Sequence, residues 1–367
     1  MASVNGELQT WRGRTVLVTG HTGFKGAWLC GLLHRLGAVV CGVALDPPTN
    51  PSVYDQVGLS KVLSKDLRLD LGNERDLSAC LVETKASFVF HLAAQALVRV
   101  SYLRPVETWH SNVTGTIHLL DGILHAPEVK GCLVVTSDKC YRNDGSGTPC
   151  HESFPLGGND PYSSSKAAVE LLVESYRHSY YTPRGLPLAT ARAGNVLGGG
   201  DRAQDRLLPD AIRSMEAGVP LRLRNPGSVR PWQHVLDPLM GYLLLGARLL
   251  GSEGMTFGRS WNFGPKDNQA LKASEIVEDF FSHLGEGSWE IDHPEGNNFS
   301  EERFLSLDAS LAREKLGWIS LRNVHEGIES TARWFQAEKT GANLTRHFYN
   351  QIDEYLISFQ KGCHELS

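Results

Sequence analysis

The sequence predicts an α/β fold: a Rossmann-type doubly wound parallel sheet followed by a smaller C-terminal lobe. Three observations predict it. Short apolar runs alternate with stretches of helical length from residue 15 to about residue 193. The apolar runs are unbroken in Val, Leu and Phe, as strands buried on both faces require. A glycine-rich turn, Gly20-His-Thr-Gly23-Phe-Lys-Gly26, sits directly between the first strand and the first helix.

The strands expected are Thr15–Thr19, Val39–Val43, Ser87–His91, Cys132–Thr136 and Leu188–Ala191, and a further strand ends at Asp70. Phe24–Leu36, Glu74–Thr84, Val106–His125 and Tyr162–Tyr181 are long enough to be the helices between them. Strand and helix in alternation imply right-handed crossovers and a parallel sheet. Beyond residue 194 the texture changes, with Gly198-Gly-Gly-Asp201 and Asn225-Pro-Gly227 marking loops. The expected division is a cofactor domain over 10–193 and a substrate-binding lobe over 194–233 and 264–360, with 234–263 returning to the first domain. A length of 367 residues suits two domains of roughly 150 each.

Composition narrows the function. Hydrophobic residues make up 41% and charged residues 21%, with a net charge of −5 and no basic block, so no nucleic-acid partner is expected. The most apolar window, Leu239–Leu250, is short and contains Arg248, so no membrane span is expected. Met1–Trp11 is polar and lacks the pattern of a secretory signal, which points to a cytoplasmic protein. The seven cysteines never form C-x-x-C and the fourteen histidines form no H-E-x-x-H, so neither disulfides nor a metal site is expected.

The glycine turn fits the G-x-x-G-x-x-G form of a dinucleotide loop. Gly20, Gly23 and Gly26 would let the backbone approach a pyrophosphate, with Phe24 and Lys25 opening the helix whose N-terminus meets it. Asp46 follows the second strand, 20 residues after Gly26. A carboxylate there accepts hydrogen bonds from a ribose 2′-hydroxyl and repels a 2′-phosphate, so the expected cofactor is NAD. Asp70 stands at the next strand end, as an adenine-side partner or as a helix N-cap. Tyr162-Ser-Ser-Ser-Lys166 places a phenol and an ammonium one helical turn apart, where the cation favours phenolate and the tyrosine can take a hydroxyl proton. Thr136-Ser137-Asp138-Lys139 follows the fifth strand, at the sheet edge where ligands bind, and adds an acid and an amine to that pair.

With these stretches, Leu45–Thr49, Asp160–Lys166, Ala191–Asp201, Asp205–Asp210, Arg230–Val235 and Trp261–Pro265, the chain resembles the extended short-chain dehydrogenase/reductase superfamily. Within its nucleotide-sugar branch, it most resembles the CDP-glucose 4,6-dehydratase family, over about residues 10 to 335. The resemblance implies a lyase of the hydro-lyase type, acting on CDP-D-glucose by an internal redox dehydration that returns NAD unchanged. It implies that Tyr162 deprotonates the glucose 4-hydroxyl with Lys166 beside it, that Ser137 hydrogen-bonds the 4-oxygen, and that Asp138 protonates the departing 6-hydroxyl. Lys139 stands where dTDP-glucose relatives carry a glutamate base, and could act either as the C5 base or as an electrostatic stabiliser. Leu71, Leu92, Ala93, Ala94, Gln95 and Thr136 would line the cofactor. Val98, Arg99, Asn195, Arg206, Leu207, Asn225, Arg230 and His234 would contact the nucleotide-sugar. Arg230 suits a phosphate because its planar fork binds bidentately. A homodimer or homotetramer is expected through the two long helices. Other NDP-sugar 4,6-dehydratases and C4 epimerases share the tyrosine, lysine and NAD, but an epimerase has no need of the Asp138-Lys139 pair. A non-catalytic NAD-binding regulator would need none of these groups.

Overall fold

Strand β1 (Thr15–Thr19) shows why the apolar runs are unbroken. Val16 and Val18 enter one core and Leu17 enters another, on the opposite face of the sheet, and all three are fully buried. The remaining strands are β2 (Val39–Ala44), β3 (Lys65–Arg68), β4 (Phe88–His91), β5 (Cys132–Val135), β6 (Leu188–Ala193) and β7 (Ser260–Phe263). They form a seven-stranded sheet in the order β7-β6-β5-β4-β1-β2-β3, every neighbouring pair parallel. The chain is thus doubly wound, with its reversal point between β1 and β4. The computed structural model describes residues 4–143, 145, 147–265, 271–292 and 305–365; of the expected lobe, 266–270 and 293–304 lie outside the described residues.

Seven helices organise the two faces: α1 (Phe24–Arg35), α2 (Glu74–Thr84), α3 (Gly115–Leu124), α4 (Pro161–Tyr176), α5 (Leu236–Leu249), α6 (Val324–Lys339) and α7 (Leu344–Glu365). Side chains of α2, α3 and α4 fill one core, and α1 and α5, with α6 and α7 outside them, fill the other. Helix α4 starts sharply because Asp160 caps the Ser163 amide at 2.9 Å and Pro161 occupies the first turn. The stretch expected as a single helix over Val106–His125 is a short α-helix, Pro105–Trp109, a π-helical turn, His110–Thr114, and then α3. The π turn has a reason, since it brings the buried Asn112 amide to the backbone of Gln95. No helix among the described residues is long and apolar enough to cross a membrane.

Beyond β6 the chain also forms several small two-stranded pieces. Val196–Leu197 pairs with Gln233–His234, Val229–Arg230 with Leu271–Lys272, and Leu221–Leu223 with Trp289–Ile291. The Gly198-Gly199-Gly200 run has a packing role. A Cβ on Gly199 would stand 2.3 Å from the Trp334 ring, and Gly200 has φ +78° with Val53 pressed against it. Gly199→Ala is therefore expected to destabilise the fold by about 1–3 kcal/mol through overpacking. Urea unfolding measures this, and a midpoint equal to that of the unsubstituted protein would remove the packing explanation.

Candidate active site

The parallel strands end together at one edge, and the reversal point between β1 and β4 opens a crevice there. On its floor, Gly20 has φ +74°, and a Cβ on it would lie 2.7 Å from the Ala93 amide nitrogen; one on Gly26 would lie 2.1 Å from the Gly20 carbonyl oxygen. Only glycine closes a turn this tight. Gly23 is the N-cap of α1 and brings no side-chain cap, so the first-turn amides at Phe24, Lys25 and Gly26 are left for a ligand. Thr19, at the end of β1, accepts the amides of Leu92 and Ala93 at 3.1 Å each, which fixes the opposite wall. Gln95 is held through its backbone by Asn112, whose Oδ1 accepts its amide at 2.7 Å. Ala94 completes this wall, half-buried between them.

The acidic residues expected beside a cofactor fall at two neighbouring strand ends. Asp46 is open to solvent, and its carboxylate accepts from Arg68 Nε at 3.2 Å. Arg68 also binds Asp66 and Tyr54, and His21 from the glycine turn shares Asp66 at 2.7 Å. Asp70 accepts the Gly72 amide at 2.8 Å and so shapes its own turn, while the next residue, Leu71, is buried in the core.

The chemistry-bearing residues meet between β5 and α4. Thr136, Ser137, Asp138, Tyr162 and Lys166 are all buried. Ser137 donates to Asp138 Oδ1 at 2.8 Å and accepts the Lys139 amide at 3.2 Å, so the hydroxyl orients both neighbours. Asp138 Oδ2 has no hydrogen-bond partner among the described residues. Burial raises the Asp138 pKa, opposed by Lys139, Ser137 and Arg230. Lys166 Nζ donates to the Val135 carbonyl at 3.4 Å, and burial pushes its pKa down to about 8. The spacing of Tyr162 and Lys166 suggested a phenol made more acidic. In the folded protein burial wins and pushes Tyr162 up to about 12, with Ser137 and Arg206 working against it and Asp138 with it. Lys25 reaches the same pocket: burial pushes it down to about 7, with Arg206 and Lys166 adding to the effect and Asp138 opposing it.

The expected substrate residues divide into groups. Val98 and Arg99 open the helix Val98–Leu103, and Arg99 pairs with Asp205 of the lobe at 2.9 Å. Arg206, which precedes Leu207 at the start of the helix Leu207–Glu216, pairs with Asp201 at 3.4 Å and acts electrostatically on both Tyr162 and Lys25. Arg230 is buried and close enough to Asp138 to lower its pKa. The Asn195 carbonyl accepts the Gln233 amide at 3.1 Å, whereas Asn225 is exposed in a turn. His234 corrects the expectation made for it. Its ring is fully buried between Trp28 of α1 and Arg322, whose guanidinium lies within 3.2 Å, so it serves the core rather than a nucleotide.

Comparison with known proteins matches this architecture. The model of the NAD dependent epimerase/dehydratase family covers residues 16–254. The chain is 42% identical to the CDP-glucose 4,6-dehydratase of Salmonella typhimurium, over 94% of its own length and 97% of that protein. This chain belongs to the NAD dependent epimerase/dehydratase family. A more distant family member, the dTDP-glucose 4,6-dehydratase of Streptomyces antibioticus, is 28% identical over 88% of this chain and 92% of that one. Among solved structures, the dTDP-glucose 4,6-dehydratase DesIV of Streptomyces venezuelae, with NAD and DAU bound, superposes with a TM-score of 0.75 at 23% identity, covering 90% of this chain and 99% of that one. The epimerase Mth375 of Methanothermobacter thermautotrophicus gives 0.77 at 21% identity, covering 94% and 97%.

NAD is the cofactor of this family, and the residues present fit it. The bare α1 N-terminus can take the diphosphate, since a Cβ on Gly23 would meet nothing nearer than the Gly20 carbonyl at 3.4 Å. Asp46, open to solvent at the end of β2, has the chemistry to accept a ribose hydroxyl, and Tyr162 and Lys166 offer a phenol and an amine in the buried pocket between β5 and α4. The structure adds residues that the motifs did not show. Glu170 is one turn beyond Lys166 on α4, a spacing legible in the sequence once the Tyr162–Lys166 face is known. The Tyr242 hydroxyl, buried on α5 with no hydrogen-bond partner among the described residues, sits where Asp138 and Tyr162 raise its pKa further, with the Lys25 ammonium 5.9 Å from its ring centroid; burial is the main cause of that rise. Nothing in the local sequence marks Tyr242. Among the described residues no cluster is placed to hold a metal ion. Gly26→Ala is expected to abolish NAD binding, because its methyl would have to displace the Gly20 carbonyl. Fluorescence titration with NAD tests this, and affinity within about twofold of wild type would contradict the glycine-turn assignment.

Proposed function

We propose that this chain is a hydro-lyase that converts CDP-D-glucose to CDP-4-keto-6-deoxy-D-glucose and water, with NAD as a returning cofactor. The observation that carries the reading is Asp138: a buried carboxyl with one oxygen unpartnered among the described residues, sharing a pocket with Tyr162 and Lys166. A redox step at C4 alone needs the tyrosine and lysine. A carboxyl pushed by burial towards its protonated form, in the same pocket, serves an elimination. The choice of CDP-D-glucose is supported by the 42% identical dehydratase of that specificity.

Bound NAD supplies a hydride acceptor and, later in the same turnover, a hydride donor. In its phenolate form Tyr162 takes the proton of the glucose 4-hydroxyl; Ser137 and Arg206 favour that form against the burial that opposes it. Ser137 holds the 4-oxygen, and Lys166 holds the ribose of the cofactor. Once C4 is a ketone the C5 hydrogen is acidic, and Lys139, fixed beside Asp138 through the Ser137 hydroxyl, faces that step as base or as stabilising cation. Asp138, which burial pushes towards its protonated form, gives a proton to the departing 6-hydroxyl. Arg230 and Arg206 offer planar forks to the diphosphate.

Purified protein incubated with CDP-, dTDP-, UDP- and GDP-glucose is expected to form a 4-keto-6-deoxy product from CDP-glucose without net reduction of NAD. Asp138→Asn is expected to lower product formation by about 10²–10⁴-fold while C4 oxidation continues, seen as build-up of reduced-cofactor absorbance. Product from none of the sugars would overturn the reading, and product from dTDP-glucose alone would overturn the base preference.

An apolar surface supports self-association. Leu103, Val106 and Leu171 are 77%, 79% and 58% exposed, and the helices bearing Val106 and Leu171 pack side by side. A face of this kind suits self-association about a two-fold axis, giving a homodimer or a homotetramer built from two dimers. Light scattering is expected to give a multiple of the chain mass and to fall to one chain for Val106→Glu combined with Leu171→Glu; an unsubstituted monomer would sink this assignment. Six described cysteines are free and buried, which suits the reducing cytoplasm.

A further inference from the structure

Glu170 has no part in the reaction as written, yet it is almost entirely buried, 3% exposed. Its carboxylate is a junction. Oε1 accepts from Thr136 at the end of β5; Oε2 accepts from Thr190 of β6 at 2.8 Å, from Arg192 of β6 at 2.7 Å and from Ser260 of β7 at 3.1 Å. Three adjacent strands are thereby pinned to one point on α4. The connection continues outward. Arg192 donates to the Tyr141 hydroxyl at 2.6 Å and to the Glu152 carbonyl at 2.9 Å, and Tyr141 donates to Asn262 Oδ1 at 2.8 Å. Tyr141 directly follows the Asp138–Cys140 turn, which carries the acid and the amine.

The same carboxylate stands one helical turn from Lys166 on the same side of α4. Lys166 is enclosed by Glu170 of its own helix, Cys140 of the turn after β5, Lys25 of α1 and His91 of β4, with Tyr162 one turn earlier. Burial presses Lys166 towards its neutral form, and Glu170 is the largest influence holding it charged.

We propose that Glu170 is the positioning residue of this site: through Arg192 and Tyr141 it fixes the Ser137–Lys139 turn against α4, and its charge keeps Lys166 an ammonium. This rests on the dehydratase reading. Removing the charge leaves Lys166 to lose its proton at lower pH, so the alkaline limb of the rate profile must move down. Removing only the reach must disturb the turn and leave that limb in place. The two halves are separable because Glu170→Gln keeps the shape and Glu170→Asp keeps the charge.

The test measures kcat and KM against pH for wild type, Glu170→Gln and Glu170→Asp with CDP-glucose. Glu170→Gln is expected to lower kcat by about 10–100-fold with KM little changed, and to move the alkaline limb down by about one pH unit. Glu170→Asp is expected to lower kcat and to keep the limb at its wild-type position. A limb unmoved in Glu170→Gln, or moved equally in both, overturns the charge role; wild-type kcat in Glu170→Asp overturns the positioning role. Should Glu170→Gln fail to fold, Thr190→Val and Ser260→Ala each remove one bond to the carboxylate, and an unchanged kcat in both would overturn the positioning role. The pH dependence of NAD binding to Glu170→Gln and wild type, followed by fluorescence, reports the Lys166 charge without any sugar: the alkaline limb is expected lower in Glu170→Gln, and coincident limbs overturn the charge role. An inactive wild type would overturn the dehydratase reading and leave this titration to judge Glu170.

Discussion

Desolvation governs this site. Its ionisable groups are gathered at the carboxyl end of the strands of a sheet covered on both faces, and for Asp138, Tyr162, Lys166 and Lys25 burial is the largest influence on the proton. It works in one direction throughout, against charge. The carboxyl and the phenol hold their protons more tightly, the latter up to about 12, while the amines hold theirs less tightly, at about 8 and about 7. Such a pocket pushes the carboxyl towards its protonated form and the ammoniums towards their neutral form, which brings acid and amine closer together in proton affinity.

Charges that must persist there are supported one by one. Glu170 is kept ionised, below the ordinary carboxylate range, by Arg192 and three hydroxyl donors against its own burial. A second route of polar contacts starts at the cofactor wall. Thr19 and the His91 ring lie 2.7 Å apart, His91 reaches Thr116 at 2.9 Å, Thr116 donates to the Asn112 carbonyl, Asn112 donates to Ser165, and Ser165 donates to the Tyr162 carbonyl. His91 is pushed down to about 3 by burial and by Lys166, so it bridges as a neutral ring and adds no charge. The end of β1 and helix α4 are thus linked by hydrogen bonds among buried side chains rather than by apolar packing alone.

The fold class was legible because its cause is local and repeated: a strand buried on both faces cannot alternate, and a glycine turn between strand and helix leaves little choice of topology. The proximity of Ser137–Lys139 to Tyr162–Lys166 was legible for a similar reason, since the carboxyl ends of parallel strands converge. What could not be read depends on contacts between distant segments. The spacing that suggests an acidic tyrosine carries no information about how deeply the phenol is buried. His234 lies in a stretch with ligand-like residues on either side, and only the packing of Trp28 and Arg322 shows that it is sealed in the core. Asn112 gives no signal because its placement depends on a π turn that no residue pattern announces.

The second glycine run shows how far such dependence reaches. Trp28, in the middle of α1, donates to the Gly199 carbonyl at 3.0 Å and packs against Phe348 of α7, with ring centroids 4.5 Å apart. Gly31 lets that ring approach, since a Cβ there would stand 2.2 Å from Phe348. Further along α1, Arg35 is paired to Asp353 of α7 at 2.5 Å. Helix α1 therefore has two ends with different duties. Its N-terminus is bare, as a diphosphate site must be, and gains no stability from a cap. Its middle and far end are locked by the C-terminal helices and by the glycines that admit their aromatic rings. Contacts from the last helix of the chain therefore hold the middle and far end of the helix whose first turn forms the glycine site.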